Sequence, residues 1–112
     1  MKGTHVGEFE ELVLLVIAIL NDDAYVLKIQ RELKEQVNRS ASMGALHATL
    51  TRLEKKGYLK SVMEGASNKR GGRRKRVYEV TLAGKETIKQ VKELRMNLWN
   101  QVPSYALKMA YV

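Results

Sequence analysis

The chain has 112 residues, the size of a single domain, and its 45% hydrophobic and 29% charged residues with one proline are typical of a folded globular protein. It contains no cysteine, which excludes disulfides, thiolate nucleophiles and thiolate metal sites, and its two histidines, His5 and His47, are far apart. The longest apolar run, residues 12–20, is much shorter than the roughly 20 residues of a membrane-spanning helix, so we expect no membrane partner and a cytoplasmic location.

Two helices are predicted in the first third of the chain. Residues 8–20, EFEELVLLVIAIL, are apolar enough for a buried helix, and the glutamates at its start suit the positive end of a helix dipole. In residues 25–36, apolar side chains recur at helical spacing among charged ones, which predicts a helix with one buried face. Residues 21–23 and 37–41 are predicted to be turns.

A third helix is predicted to begin after the capping residue Ser42 and to end at Gly57. One face carries Leu46, Leu50 and Leu53. The opposite face is short, polar and basic, and comprises His47, Ala48, Thr51, Arg52 and Lys55. Two helices joined by a short turn predict a helix-turn-helix, whose second helix can enter a DNA major groove.

Two short strands, residues 58–63 and 76–80, are predicted to form a hairpin after the third helix. Six cations lie within residues 69–76, which contain no acid; without them the net charge of +8 nearly vanishes. Such a hairpin tip is suited to bind phosphates, because its cations supply charge and its glycines allow close approach of the backbone. A solvated loop without a partner remains the alternative. The predicted fold class is therefore mainly α with a small β-hairpin, a winged helix-turn-helix.

Thr81 is predicted to cap a long last helix over residues 82–102, which Pro103 ends. Its apolar side chains cluster on one side, which suits a partner subunit, with packing back on the same domain as the alternative. We expect residues 1–81 to form the DNA-binding domain and residues 82–112 the C-terminal dimerisation helix and tail. The predicted dimer interface comprises Ile88, Val91, Leu94, Leu98 and Val102.

Three segments between residues 7 and 84 resemble the PadR-type transcriptional regulators: GEFEELVLLVIAIL, SASMGALHATLTRLEKKGYLKS and GGRRKRVYEVTLAG. The single long C-terminal helix resembles the smaller subfamily, whose members dimerise through that helix. This resemblance implies a DNA-binding repressor that acts as a homodimer. It also implies a planar aromatic effector, held against a tryptophan at the dimer centre.

The resemblance assigns roles to individual residues. It puts Ser42, Gly44 and His47 near DNA at the start of the recognition helix, with His47 standing where the family often has tyrosine. Residues 71–75 match the family wing, and Arg76 stands where an aromatic residue is common. Together with the residue-level reasoning, the predicted DNA contacts are Ser42, Gly44, His47, Thr51, Arg52, Lys55, Lys69, Arg70, Arg73, Arg74 and Lys75.

Met96 and Trp99 are the predicted effector contacts, core packing being the alternative for Trp99. For Lys55 the alternative is a solvated helix face. We expect no enzymatic activity, no cofactor and no metal site, because the sequence has neither a phosphate-binding loop nor a catalytic triad pattern, and His47 has no second ligand nearby.

The sequence thus predicts a homodimeric repressor on double-stranded DNA, with its two recognition helices in major grooves of a near-palindromic operator. Two alternatives remain: a winged-helix module that binds proteins, and a sequence-neutral nucleic-acid-binding protein.

Overall fold

The structure is a computed structural model that describes residues 6–64 and 74–107. Within these ranges the chain forms four α-helices, two antiparallel strands and two short 3-10 helices, so the predicted mainly helical class with a small hairpin is confirmed. The elements are α1 (Glu8–Leu20), 3-10 helix η1 (Asn21–Asp23), α2 (Val26–Val37), α3 (Met43–Lys55), β1 (Leu59–Glu64), β2 (Lys75–Val80), α4 (Leu82–Gln101) and 3-10 helix η2 (Ser104–Leu107).

The helix ends follow the predicted caps. The Ser42 hydroxyl accepts a hydrogen bond from the Ala45 amide at 3.1 Å, and α3 is followed by Gly57 at φ +82°. The Thr81 hydroxyl accepts from the Gly84 amide at 3.0 Å at the start of α4. The second helix begins one residue later than predicted, because Tyr25 has extended backbone and forms a β-bridge with Val77.

The core lies where α1, α2 and α3 meet the sheet. The predicted inner face of α3 is fully buried, together with Ile29 and Leu33 of α2 and the inward residues of α1. This core excludes water from the inner faces of the three helices and thereby fixes the angle of α3. Its largest fully buried side chains are Val13, Leu14, Ile17, Ile29, Leu33, Leu46, Leu50 and Leu53.

The two strands pair with Leu59 opposite Val80 and Glu64 opposite Lys75. The amide of Tyr78 also donates to the Ala24 carbonyl at 2.9 Å, so the hairpin is bonded to the residues that precede α2. The hairpin is therefore attached to the helix-turn-helix by backbone hydrogen bonds as well as by packing.

The two halves of α4 differ. Gly84 and Thr87 are buried and Ile88 packs against the core, so the first half lies on the same domain, as the alternative interpretation expected. From residue 92 onward every side chain of α4 is exposed. No helix in the two described ranges has the length and apolarity needed to cross a membrane.

Candidate nucleic-acid interface

The outer face of α3 is an exposed surface that combines cations with small polar groups. Its residues line a common shallow depression of about 360 Å³ and include no acid. Because the opposite face of α3 is locked into the core, this face points to solvent with a fixed orientation. The residues of this depression are the predicted set, His47, Ala48, Thr51, Arg52 and Lys55.

At the N-terminal end of α3, the predicted DNA contacts Ser42 and Gly44 are exposed. The Ser42 oxygen caps the helix, which leaves its hydroxyl hydrogen available to donate. A Cβ added at Gly44 would meet no atom within 4 Å, so the backbone there is open to approach. The first turn of α3 can therefore come close to a phosphate.

Arg52 is not a free side chain. Its Nε donates to Oε2 of Glu10 on α1 at 3.0 Å, and its Nη2 donates to the Thr49 hydroxyl at 3.2 Å. Glu10 is only 6% exposed and also accepts from Lys56 and from the Gly7 amide. Burial raises the pKa of the Glu10 carboxyl, but the hydrogen bonds from Gly7, Lys56 and Arg52 outweigh this effect and leave the pKa below its usual value.

The base of the wing is held against the helix-turn-helix by side chains. The Lys75 ammonium lies 4.2 Å from the centre of the Tyr25 ring. The Arg76 Nη1 donates to the Ser61 hydroxyl at 2.9 Å, and Ser61 in turn donates to Glu54 of α3 at 2.9 Å. The Lys75 contact links β2 to the residue before α2, and the Ser61 hydroxyl links both strands to α3.

The predicted wing contacts divide into two groups. Arg74 is exposed immediately before β2, and Lys75, expected at the hairpin tip, is the first residue of that strand. The other predicted wing contacts, Lys69, Arg70 and Arg73, lie outside the described residues.

A groove of about 540 Å³ runs between α1 and α4. Its apolar wall brings Met96 and Trp99, the predicted effector contacts, together with Ile88 and with Leu15 of α1. Two lining residues are joined across it, since the Arg95 Nη2 donates to Glu11 of α1 at 2.9 Å. Its charged rim is formed by Glu11, Lys85, Lys89, Lys92 and Arg95.

The end of α4 presents a separate apolar surface. Leu94, Leu98 and Trp99 are each at least 50% exposed, and Leu98, Trp99 and Val102 line a depression of about 230 Å³ with Leu107. Of the predicted dimer residues, Leu94, Leu98 and Val102 are thus exposed, whereas Ile88 and Val91 are partly buried on the same domain.

Within residues 6–64 and 74–107, no three His, Cys, Asp or Glu side chains are grouped so that they could hold a metal ion.

Comparison of the sequence with models of protein families shows the family of this chain. Residues 14–90 match the Transcriptional regulator PadR-like family, which covers the helix-turn-helix, the hairpin and the first half of α4. The chain belongs to the PadR family. The resemblance seen in the sequence is thereby confirmed, and the members of this family are transcription regulators. A comparison with curated protein sequences finds no match.

Solved PadR-family structures have the same fold. A PadR family transcription regulator from Clostridium difficile is 28% identical, with a TM-score of 0.60, over 87% of this chain and 98% of that one. A PadR-like regulator from Bacillus cereus is 17% identical with a TM-score of 0.67, over 88% of this chain and 93% of that one. Bacillus subtilis PadR, solved in complex with operator DNA, is 17% identical with a TM-score of 0.58, over 74% of this chain and 45% of that one.

In this PadR-family chain, sequence reasoning missed the side chains that hold the interface in place. The sequence assigns Glu10 to the dipole of α1, yet its side-chain partners are Arg52 on α3 and Lys56 directly after α3, 42 and 46 residues away. Tyr25 and Ser61 carried no signal of their contacts with the wing. A hint for Glu10 is its place in the first turn of α1, just before the apolar run of residues 12–20, because a charge needs a partner if it is buried there.

Proposed function

We propose that the chain is a transcriptional repressor that binds a near-palindromic operator as a homodimer. The observation that carries this proposal is the outer face of α3, which is fixed in orientation, exposed, basic and without an acid. Such a face suits base edges and phosphates in a major groove, where arginine reads guanine by paired hydrogen bonds. The operator complex of Bacillus subtilis PadR, a relative of the same fold, supports it.

On this proposal, the side chains of α3 and of the wing have different tasks. Thr51, Arg52 and Lys55 would reach base edges or backbone, and Ser42, Gly44 and His47 would approach phosphates at the start of α3. The cations of the wing, Lys69, Arg70, Arg73, Arg74 and Lys75, would add phosphate contacts beside the recognition helix. The attachment of the strands to α3 through Ser61 supports this, because it fixes where the wing begins relative to α3.

The proposed dimer forms through the exposed second half of α4. Among the residues that the structure describes, Leu94, Leu98 and Val102 leave apolar surface exposed, and the removal of such surface from water drives association. Ile88 and Val91 would lie at the edge of that interface. Two-fold symmetry then sets the two α3 helices about one DNA turn, roughly 34–36 Å, apart.

The groove between α1 and α4 is the proposed effector site. A planar aromatic molecule would lie against Trp99 and Met96, which are on the proposed dimer helix α4 itself. Release from DNA requires that the effector bind more tightly to the dimer whose recognition helices have the wrong spacing for the operator.

Fluorescence anisotropy tests the DNA proposal with two duplexes. One is taken from the region upstream of the protein's own reading frame and the other is its shuffled sequence, both titrated at 50 and 200 mM salt. Preference for the native duplex by about 10³ or more supports the repressor. Equal and steeply salt-dependent binding supports sequence-neutral binding instead, and no binding to either supports a protein-interaction module.

A further inference from the structure

We propose that Glu10 is a positioning residue for DNA recognition: its buried carboxylate orients Arg52 on the outer face of α3. The proposal rests on the proposed function, because it takes α3 as the recognition helix. Glu10 itself is on α1 and 6% exposed, so its role is to act through Arg52.

The carboxylate of Glu10 accepts four hydrogen bonds, from Arg52 of α3 and from Gly7 and Lys56, which directly precede α1 and follow α3. Its Oε1 accepts from the Gly7 amide at 2.9 Å and from the Lys56 ammonium at 2.9 Å. Its Oε2 accepts from Arg52 at 3.0 Å and from Lys56 at 3.1 Å. A carboxylate with two cations and a backbone amide is well compensated for its burial, and charge-assisted bonds of this kind are the strong ones.

The same contacts fix the guanidinium of Arg52 in rotation. The Arg52 Nε donates to Glu10, and its Nη2 donates to the Thr49 hydroxyl. Thr49 is itself buried, and its hydroxyl donates to the Ala45 carbonyl at 3.0 Å. The Arg52 side chain nevertheless keeps 53% of its surface exposed, in the depression shared with Thr51 and Lys55. A planar group held at one edge and open at the other is ordered before DNA arrives, so binding costs less side-chain entropy.

Lys56, the residue directly after α3, contacts the same carboxylate. It lies one turn after Arg52, so both cations pair with Glu10. Glu10 therefore holds the C-terminal turn of the recognition helix on α1 and orients its arginine with one group.

A second glutamate on the same turn of α1 provides a control. Glu8 pairs with Arg39, in the turn between α2 and α3, and not with α3 itself. Glu10→Gln and Glu8→Gln remove the same charge, so any change in general attraction to DNA is alike in the two variants. Only Glu10→Gln removes the carboxylate that Arg52 contacts.

The test measures the affinity ratio between two duplexes for the full chain and both variants. One duplex is the tightest that the wild-type chain selects from a random-sequence pool, and the other is its shuffled sequence. The ratio is the useful quantity, because a smaller folded fraction lowers both affinities equally and cancels. We expect Glu10→Gln to lower the ratio by about tenfold, as for the loss of a charge-assisted hydrogen bond, and Glu8→Gln to leave it unchanged.

Arg52→Lys tests the same link without touching α1. Lysine keeps the positive charge but lacks the planar guanidinium that Glu10 orients, so we expect a similar fall in the affinity ratio. Adding Glu10→Gln to this variant should cause no further fall. A ratio within twofold of wild type in Glu10→Gln, or equal falls in both glutamate variants, overturns the positioning role. A wild-type ratio near one overturns the proposed operator recognition itself, and the role of Glu10 with it.

Discussion

Gly84, in the first turn of α4, lies directly against the backbone of Tyr58. A Cβ atom at residue 84 would stand 2.3 Å from the Tyr58 carbonyl oxygen, well inside contact distance. That oxygen also accepts a hydrogen bond from the Thr81 amide at 3.0 Å, so it has little freedom to move away. The close approach joins α4 to the end of α3 and the start of β1, and only glycine permits it.

Gly84→Ala should therefore destabilise the fold. Relief of the clash requires a shift of α4 or of the Tyr58 peptide, and such overpacking costs roughly 1–3 kcal/mol. Thermal unfolding followed by circular dichroism measures the loss. Gly44→Ala is the control, because Gly44 is also in the first turn of a helix but has open space where the methyl would lie. A Gly84→Ala variant as stable as Gly44→Ala would contradict the packing of α4 described here.

Leu98→Asp should convert the proposed dimer to monomers. Leu98 is 58% exposed on α4, so aspartate costs little in the single chain but would place a charge in an apolar interface. We expect the dimer to weaken by roughly 100-fold or more, as measured by sedimentation velocity over a range of concentrations.

The matched control is Leu27→Asp on α2, since Leu27 is 57% exposed. It makes the same chemical change at the same exposure but far along the chain from α4. Dimers that persist in Leu98→Asp, or that dissociate equally in Leu27→Asp, would mean that the second half of α4 is not the interface.

The helices of this protein could be predicted because their signals are local. Ser42 and Thr81 cap the helices that the sequence assigned to them, and the leucines of α3 are buried at the predicted spacing. Local capping and periodicity require no knowledge of the tertiary structure.

The contacts that hold the interface together could not be predicted in the same way. Glu10 and Arg52 are 42 residues apart in the sequence. The Lys75 ammonium of β2 contacts the ring of Tyr25, which directly precedes α2. Only the packing of α1 and the hairpin brings these pairs together. The division of α4 also depends on tertiary structure: Ile88 and Leu98 share an apolar stripe in the sequence, but the domain ends between them, so one packs inward and the other is exposed.

Arg74→Ala should weaken binding to operator and shuffled duplexes alike. Arg74 is exposed before β2, and a phosphate contact there adds affinity without sequence information. The slope of log affinity against log salt should fall by about 1 if the contact neutralises one phosphate. Lys92→Ala is the control, since it removes one exposed cation from α4, which is neither the proposed recognition helix nor the wing. Equal slopes in the two variants would remove Arg74 from the phosphate contacts.

The groove beside Trp99 should prefer anionic aromatic molecules to cationic ones. Lys85, Lys89, Lys92 and Arg95 line it, and its acid, Glu11, is paired with Arg95. Trp99 is the chain's only tryptophan, so its fluorescence reports occupancy directly. Titration with anilinonaphthalene sulfonate and with ethidium should show tighter binding of the sulfonate.

Replacing two of these lysines tests the origin of that preference. In the double variant Lys89→Gln/Lys92→Gln, the affinity for the sulfonate should fall by roughly 3- to 10-fold, as expected for the loss of two exposed charges. The affinity for ethidium should not fall. Stronger binding of ethidium to the wild-type chain would show that the cations do not select the ligand.

The buried carboxylate of Glu10 should make stability depend on pH in the acid range. Its pKa in the folded chain lies below the usual 4.5, so the folded state favours the charged form relative to the unfolded state. The stability that this difference supplies is complete above the unfolded-state pKa and is lost as the pH falls through the folded-state pKa. The free energy of unfolding of wild type relative to Glu10→Gln should therefore shrink between about pH 6 and pH 3, as measured by urea denaturation. Glu86→Gln, at an exposed carboxylate on α4, should show no such trend. A constant difference between wild type and Glu10→Gln across this range would mean that Arg52 and Lys56 do not stabilise the charged carboxylate.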